Sequence, residues 1–160
     1  MDGTWSTTFP LVLGHEAAGR IVQTGSDVDD LTDGDPVLVS LIRTCGECLA
    51  CRRGHDVACS GEFTLSTCSP LSDADGNRIP QGLNVAGFAT QVVVHRSQVT
   101  LLPDDVDLIE ASLLGCGVLT GSGAVTNTAE VSDGDTVVVV GCGGVGISTI
   151  PVSDPHLQLP

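Results

Sequence analysis

The sequence contains no lysine and no tyrosine, and only four of its 160 residues are aromatic. Its six basic residues, all arginine, face 20 acidic residues, which gives a formal net charge of −14. Such a charge repels phosphate backbones and anionic membranes, so we expect neither nucleic acid nor a membrane as partner. The apolar runs are also far shorter than the roughly 20 residues of a membrane span.

A secretory signal is not recognisable, because residues 1–4 lack both a basic start and an apolar stretch. We therefore expect a cytoplasmic protein. The hydrophobic fraction of 41% is enough for a core, which must rest on Val, Leu, Ile and Ala because aromatic residues are scarce. The acidity fits either adaptation to high salt or an ordinary acidic protein.

Short β segments separated by turn residues dominate the first part of the chain and predict a small barrel or sandwich. Strands are expected at 20–23, 36–41, 88–95 and 98–102, with a surface loop at 71–83. Helices are expected at 109–114 and 118–129, and a strand buried on both faces at 137–140. The sequence therefore predicts a mainly β fold with some α, in which residues 1–131 form one unit and an α/β unit starts at 132.

Four cysteines follow the pattern C-x2-C-x2-C-x7-C: Cys45, Cys48, Cys51 and Cys59. Tight C-x2-C turns bring thiolates into one coordination sphere, and four thiolates leave no open position, so the pattern predicts a structural zinc site. Disulfides are disfavoured without a secretory signal. An iron–sulfur cluster is the less favoured alternative.

A second candidate metal site combines His15, Glu16 and Cys116. His15 and Glu16 lie side by side between glycines, and Cys116 also has a glycine on each side. If His15 and Cys116 converge, they offer nitrogen and sulfur ligands suited to zinc, with Glu16 as a neighbouring carboxylate and further candidate ligand. Each residue alone is a weak signal, since a lone histidine or cysteine is more often a packed side chain.

A glycine loop follows the predicted strand 137–140 and matches G-x-G-x-x-G, the pattern that lets a backbone approach a pyrophosphate. Its candidate cofactor-binding residues are Gly141, Gly143, Gly144, Val145 and Gly146. We expect the following helix to end at Ile150, because Pro151 cannot continue it.

Together these motifs resemble the zinc-dependent medium-chain alcohol dehydrogenases, with details closest to the formaldehyde dehydrogenase branch. The resemblance covers residues 9–150 and rests on segments 14–19, the cysteine loop, 114–121 and 141–146. It implies a GroES-like β-barrel catalytic domain, followed by the first strand and glycine loop of a Rossmann domain. It also implies that His15 and Cys116 are two ligands of a catalytic zinc, that Glu16 is the catalytic carboxylate beside this metal, and that NAD(P), whose site is truncated here, takes up hydride.

The sequence also departs from that family. The family's first zinc-ligating cysteine and its proton-relay hydroxyl have no counterpart before Phe9, and residues 151–160 do not resemble the family. We therefore expect a chain truncated at both ends, derived from a dehydrogenase that acts on an alcohol or aldehyde, and inactive in isolation. The alternatives are a catalytically inactive zinc-binding remnant, or a half-protein that needs a complementing chain. A homo-oligomer is a further alternative.

Overall fold

The computed structural model of the chain describes residues 9–153, and the tail 154–160 lies outside them. Five short strands occur in this part: β1 (Ala17–Arg20), β2 (Pro36–Val39), β3 (Leu71–Ser72), β4 (Arg78–Ile79) and β5 (Val99–Leu101). Strands β1, β2 and β5 form an antiparallel sheet in that order, with Ala17 opposite Val39 and Val39 opposite Val99. This sheet supports the residues of both candidate metal sites.

Two of the predicted strands differ from those observed. The strand expected at 20–23 lies at Ala17–Arg20, because the small side chains that follow Glu16 pair directly with β2. Residues 88–95 form no strand, since no described strand lies beside them to complete a ladder, and Phe88 is 80% exposed.

The segment 71–83, expected to be loop, contains a two-residue hairpin of β3 and β4. The turn between them is held by Asp73, whose carboxylate accepts hydrogen bonds from the backbone of Asp75 and from both nitrogens of Asn77. These bonds lower the pKa of Asp73, the side-chain amide of Asn77 contributing most. An Asx turn of this kind makes a tight connection without any apolar contact.

Five α-helices are observed within residues 9–153: α1 (Leu49–Arg52), α2 (Thr64–Thr67), α3 (Leu108–Ala111), α4 (Gly117–Gly123) and α5 (Gly144–Ser153). A 3-10 turn, Ser112–Gly115, continues α3, and a π-helical turn, Ala124–Thr128, continues α4, so both helices predicted in this region are present. Asp107 caps α3 through its carboxylate, which accepts from the backbone of Ile109 and Glu110. That cap satisfies the first amide groups of a helix too short to be stable alone.

The apolar core is small and aliphatic, as expected from the composition. Leu31, Val37 and Val99 form its centre. A second buried centre is polar: Gln98 is 1% exposed, and its side-chain amide donates to the carbonyl oxygens of Ser40 and Asn84. The two centres meet along β2 and β5.

The predicted strand 137–140 is not buried on both faces. Val138 is 81% exposed and Val140 95% exposed, because no described strand lies beside this segment. Helix α5 also continues past the predicted stop, to Ser153. Pro151 lacks an amide hydrogen, but the hydroxyl of Ser153 donates to the carbonyls of Thr149 and Ile150 and supports the last turn.

Helices α4 and α5 pack closely because glycine lines the contact. A Cβ atom on Gly121 would lie 2.5 Å from the carbonyl oxygen of Val145 and 2.9 Å from Cβ of Ser148. Only a residue without a side chain lets the two backbones approach this far. Gly121 of α4 therefore serves packing against α5.

No single helix within residues 9–153 has the length and apolar character to cross a membrane. One bent pair, Leu108–Gly115 with Gly117–Thr128, reaches the required length and composition together, with 50° between its halves.

We expect Gly121→Ala to destabilise the chain by about 1–3 kcal/mol, because the added methyl group meets the backbone of α5. Gly123→Ala in the same helix is the matched control: its Cβ would lie 3.7 Å from Asn127, an ordinary contact. Alanine there should stabilise by about 0.4–1 kcal/mol. Urea denaturation followed by circular dichroism measures both, and equal effects of the two substitutions would contradict the close helix contact.

Candidate metal centres

The four cysteines of the predicted zinc site converge. The Sγ atoms of Cys45, Cys48, Cys51 and Cys59 all lie within 4.8 Å of one another. Two of them, on Cys48 and Cys59, are 4.0 Å apart. Sulfurs bound to one tetrahedral zinc ion, at about 2.3 Å each, would be about 3.8 Å apart. The arrangement therefore fits a zinc ion held by four thiolates.

Local backbone structure sets these positions. Cys48 is the N-cap of α1, and its sulfur accepts from the amide of Cys51 at 3.5 Å. The sulfur of Cys45 accepts from the amide of Cys48 at 3.3 Å, and that of Cys59 accepts from the amides of Cys45 and Gly61. Amide donors aimed at sulfur stabilise thiolates, the form that binds metal.

The backbone amides of Cys51 and Ser60 lower the pKa of Cys48 to about 5. Burial raises the pKa of Cys51 to about 12. Metal binding to such a cluster must release the protons of any thiols that are not already ionised. Because all seven cysteines of the chain are free thiols in the structure, the disulfide alternative is not supported.

Gly61 is a residue of this site that the sequence pattern missed. A Cβ atom at position 61 would lie 2.6 Å from Cβ and 2.8 Å from Sγ of Cys45. Position 61 must therefore be a glycine, because the backbone there lies directly against Cys45 of the sulfur cluster. The only signal in the sequence is a glycine two positions after the last cysteine, which is too common to interpret alone.

His15 and Cys116, which are 101 residues apart in sequence, also meet. Nε2 of His15 lies 3.3 Å from Sγ of Cys116. His15 precedes β1, and Cys116 joins the 3-10 turn after α3 to α4. Among the described residues, only the cysteine loop brings three or more metal-ligating side chains together, so this second site shows two.

Two glycines fix the approach of these side chains. Gly14 has a φ of +94°, and a Cβ there would lie 2.6 Å from the amide nitrogen of Phe88. On the other side, a Cβ on Gly115 would lie 2.7 Å from the carbonyl oxygen of Val39 in β2. His15 and Cys116 thus each follow a glycine that is pressed against neighbouring backbone.

The carboxylate of Glu16 accepts a hydrogen bond from the amide of Gly117, with 2.9 Å between Oε1 and N. Consecutive residues on one segment, 15 and 16, therefore contact consecutive residues on another, 116 and 117. In this arrangement Glu16 holds the backbone next to Cys116.

The glycine loop lies beside this second site. Gly141 has a φ of +104°, and nothing lies within 4 Å of a Cβ built on Gly143 or Gly144, so their backbone is open to a ligand. Gly146 passes close to the carbonyl of Gly141, and Val145 is 44% exposed. A Cβ on Gly117 would be 4.0 Å from the carbonyl carbon of Gly144, which brings the loop next to Glu16 and Cys116.

Residues 1–104 match the family described as "Alcohol dehydrogenase GroES-like domain". The chain belongs to the zinc-dependent medium-chain alcohol dehydrogenases. This membership confirms the GroES-like fold class expected from the sequence. The described strands form one sheet of three strands and one of two, and short helices lie between them. It also supports the assignment of the four-cysteine cluster as the structural zinc site.

Relatives within this alcohol dehydrogenase family cover most of the chain. Alcohol dehydrogenase B of Mycobacterium tuberculosis is 37% identical over 148 residues, 89% of this chain and 40% of the relative. S-(hydroxymethyl)glutathione dehydrogenase of Haemophilus influenzae is 35% identical over 148 residues, which cover 89% of this chain and 39% of that relative. An alcohol dehydrogenase zinc-binding domain protein from Burkholderia ambifaria superimposes with a TM-score of 0.82 at 31% identity, covering 91% of this chain and 41% of its own. The chain thus spans about 40% of the length of these relatives.

Replacing Cys48 by Ser should abolish tight zinc binding and make the loop 45–61 sensitive to protease, because three thiolates and a weak hydroxyl ligand no longer close the site. Cys68→Ser is the matched control, since Cys68 is exposed and lies outside the cluster. Metal analysis after dialysis should find close to one zinc in the control and none in Cys48→Ser. Equal zinc content in the two variants would refute the four-thiolate assignment.

Gly61→Ala should weaken zinc binding by about 10–100-fold, the range seen when the surroundings of metal ligands are disturbed. The reason is the clash between the new methyl group and Cys45. Competition with a chromophoric chelator measures the zinc affinity, and Ser60→Ala, at the exposed neighbouring position, should leave it unchanged. An unchanged affinity in Gly61→Ala would mean that Cys45 is not confined as described.

Proposed function

We propose that the chain carries the metal-binding part of a zinc-dependent alcohol dehydrogenase, which interconverts alcohols and aldehydes with NAD(P) as hydride carrier. The observation that carries the proposal is the contact between His15 and Cys116 across 101 residues of sequence. A histidine nitrogen and a cysteine sulfur bound to one tetrahedral zinc would be about 3.6 Å apart. The observed 3.3 Å is close to that separation.

In this proposal His15 and Cys116 hold a second zinc ion, distinct from the structural one. When bound, zinc supplies Lewis-acid chemistry that polarises an alcohol or aldehyde oxygen. The imidazole must be neutral and the thiol ionised to act as ligands. Two residues leave the coordination sphere open, and a catalytic zinc site has three protein ligands and a position for water or substrate.

Glu16 has a positioning role in this proposal. Its hydrogen bond to the amide of Gly117 supports this, because it ties the segment of His15 to that of Cys116. Glu16 remains a candidate ligand as well, since its carboxylate stands beside the metal in the arrangement that the family resemblance implies.

The glycine loop is the proposed site for the pyrophosphate of NAD(P). The open backbone at Gly143 and Gly144 and the start of α5 at Gly144 support this, because helix N-termini attract anionic groups. Such a cofactor carries hydride to or from the substrate carbon. The short distance between Gly144 and Gly117 would bring it near the second zinc.

Several finer assignments belong to the same proposal. The substrate is a small alcohol or aldehyde, or a thiol adduct of formaldehyde as in the name of the Haemophilus influenzae relative. Residues 1–131 form the GroES-like catalytic domain, and 132–150 begin a Rossmann domain. The chain works in the cytoplasm, where thiolate ligands stay reduced.

Exposed valines favour a second candidate, a half-protein completed by another chain. Val138 and Val140 are 81% and 95% exposed on a segment that pairs with no described strand. Such a segment can accept a strand from a complementing chain or a second copy. Without that addition the chain would act as a zinc-binding module only.

Cobalt(II), which replaces zinc and gives visible absorption bands, separates these possibilities. If the proposal holds, the chain binds two equivalents of cobalt, the second more weakly. His15→Ala and Cys116→Ser should then each remove the second equivalent and retain the first, because the four thiolates are untouched.

His55→Ala is the matched control for this titration. His55 is exposed and its side chain caps no helix, so both equivalents should remain. One equivalent in the parent protein would favour the zinc-binding module, and a second equivalent that survives His15→Ala would refute the proposed ligand pair.

A further inference from the structure

Arg43 is a buried cation that has no acidic partner among residues 9–153. It lies between β2 and the cysteine loop and is 6% exposed. Its guanidinium donates only to neutral oxygens: Gln98 Oε1 at 2.8 Å, Asn84 O at 3.0 Å, Ser66 Oγ at 3.1 Å and Gln81 Oε1 at 3.5 Å. The one ion pair among the described residues joins Arg96 to Asp30 instead.

A buried charge is unfavourable unless an opposite charge accompanies it. Burial accordingly lowers the pKa of Arg43, although an arginine remains protonated at neutral pH. The ring of Phe63 lies 5.8 Å from the guanidinium carbon and gives only a weak cation–π contact. The surroundings of Arg43 are therefore polar and favour a negatively charged neighbour.

An open depression adjoins this guanidinium. It is lined by Arg43, Ser66, Ser69, Arg78, Gln81 and Asn84 among others, and no aspartate or glutamate of the described part of the chain lines it. In a chain with six arginines and 20 acidic residues, two arginines and no acid at one depression is an uneven distribution of charge.

Hydrogen-bond donors remain free at this place within residues 9–153. Nη1 of Arg43 uses one of its two hydrogens on Ser66, so the other has no acceptor. The hydroxyl of Ser66 accepts that bond, and its own hydrogen is free to donate. Arg78 is exposed in β4, and its guanidinium has no acceptor among the described residues.

We propose that this depression binds a small oxyanion, a phosphate or carboxylate group, between Arg43, Ser66 and Arg78. The planar donor pairs of arginine match the oxygens of both groups. Three separate segments supply the donors: the loop after β2, helix α2 and strand β4. The site is distinct from both metal centres and from the glycine loop, and it does not depend on the proposed dehydrogenase function.

Binding at this site has to overcome the overall charge of −14, which repels anions at long range. Recognition therefore comes from the local donors, and the affinity for a free ion of about five heavy atoms should lie in the millimolar range. An anionic group carried on a larger substrate or cofactor would bind more tightly, because further contacts add to it.

The test is an NMR titration of the zinc-loaded chain with inorganic phosphate, and separately with acetate, at constant ionic strength. We expect saturable amide shifts at residues 66, 67 and 78. If only phosphate gives saturable shifts, the ligand is a phosphate group. If only acetate does, the ligand is a carboxylate, and if both do, the site binds oxyanions in general. Absence of saturable shifts with either probe would overturn the proposal.

Arg78→Gln should weaken the binding of the effective probe by about tenfold, because a hydrogen bond to a charged group is lost. Ser66→Ala should weaken it less. Arg53→Gln removes the same charge from an exposed position outside the depression and should leave the affinity within about twofold. If Arg78→Gln and Arg53→Gln lose equal amounts of probe affinity, the effect comes from the overall charge of the chain and the proposed site is refuted. Arg78 is exposed, so its replacement tests binding without disturbing the buried network of Arg43.

Discussion

The mutual repulsion of four cysteine sulfurs is the constraint on which the first half of this structure depends. Sulfurs held within 4.8 Å of one another cannot all ionise unless a divalent cation lies between them. Amide donors from α1 and from Gly61 relieve only part of that repulsion. Zinc bound to such a cluster contributes about 10 kcal/mol or more, comparable with the whole stability of a small domain. The apolar core beside it is small, so the metal is expected to be a major stabilising element.

Backbone contacts through glycine connect the remaining functional elements. Gly14 and Gly115 press the segments of His15 and Cys116 against their neighbours, and Gly117 and Gly121 bring α4 against the glycine loop and α5. At these glycines one backbone segment packs directly against another. A small displacement of one segment is therefore transmitted to its neighbour, because no flexible side chain lies between them. The proposed second metal site and the proposed cofactor loop are thus parts of one packed unit.

Spacing in the sequence was enough to predict the cysteine site, since its ligands lie within fifteen consecutive positions. The meeting of His15 with Cys116 followed from family resemblance, because no local pattern links residues so distant. Gly61 and Arg43 could not be identified, as their importance arises from atoms that approach only in the folded chain. The strand at 137–140 was predicted as buried because its composition is that of an interior strand, whereas burial depends on neighbours that the described residues do not supply.

The short separations between the four cysteines also affect the order of folding. Closing the two-residue and seven-residue loops between the cysteines loses little chain entropy, whereas bringing β5 next to β2 requires ordering the roughly 60 residues between Val39 and Val99. Contacts between near neighbours form faster than distant ones. Metal capture is therefore expected to precede the pairing of β5 with β2, and a chain kept from zinc would lose an early folded nucleus together with its structural support.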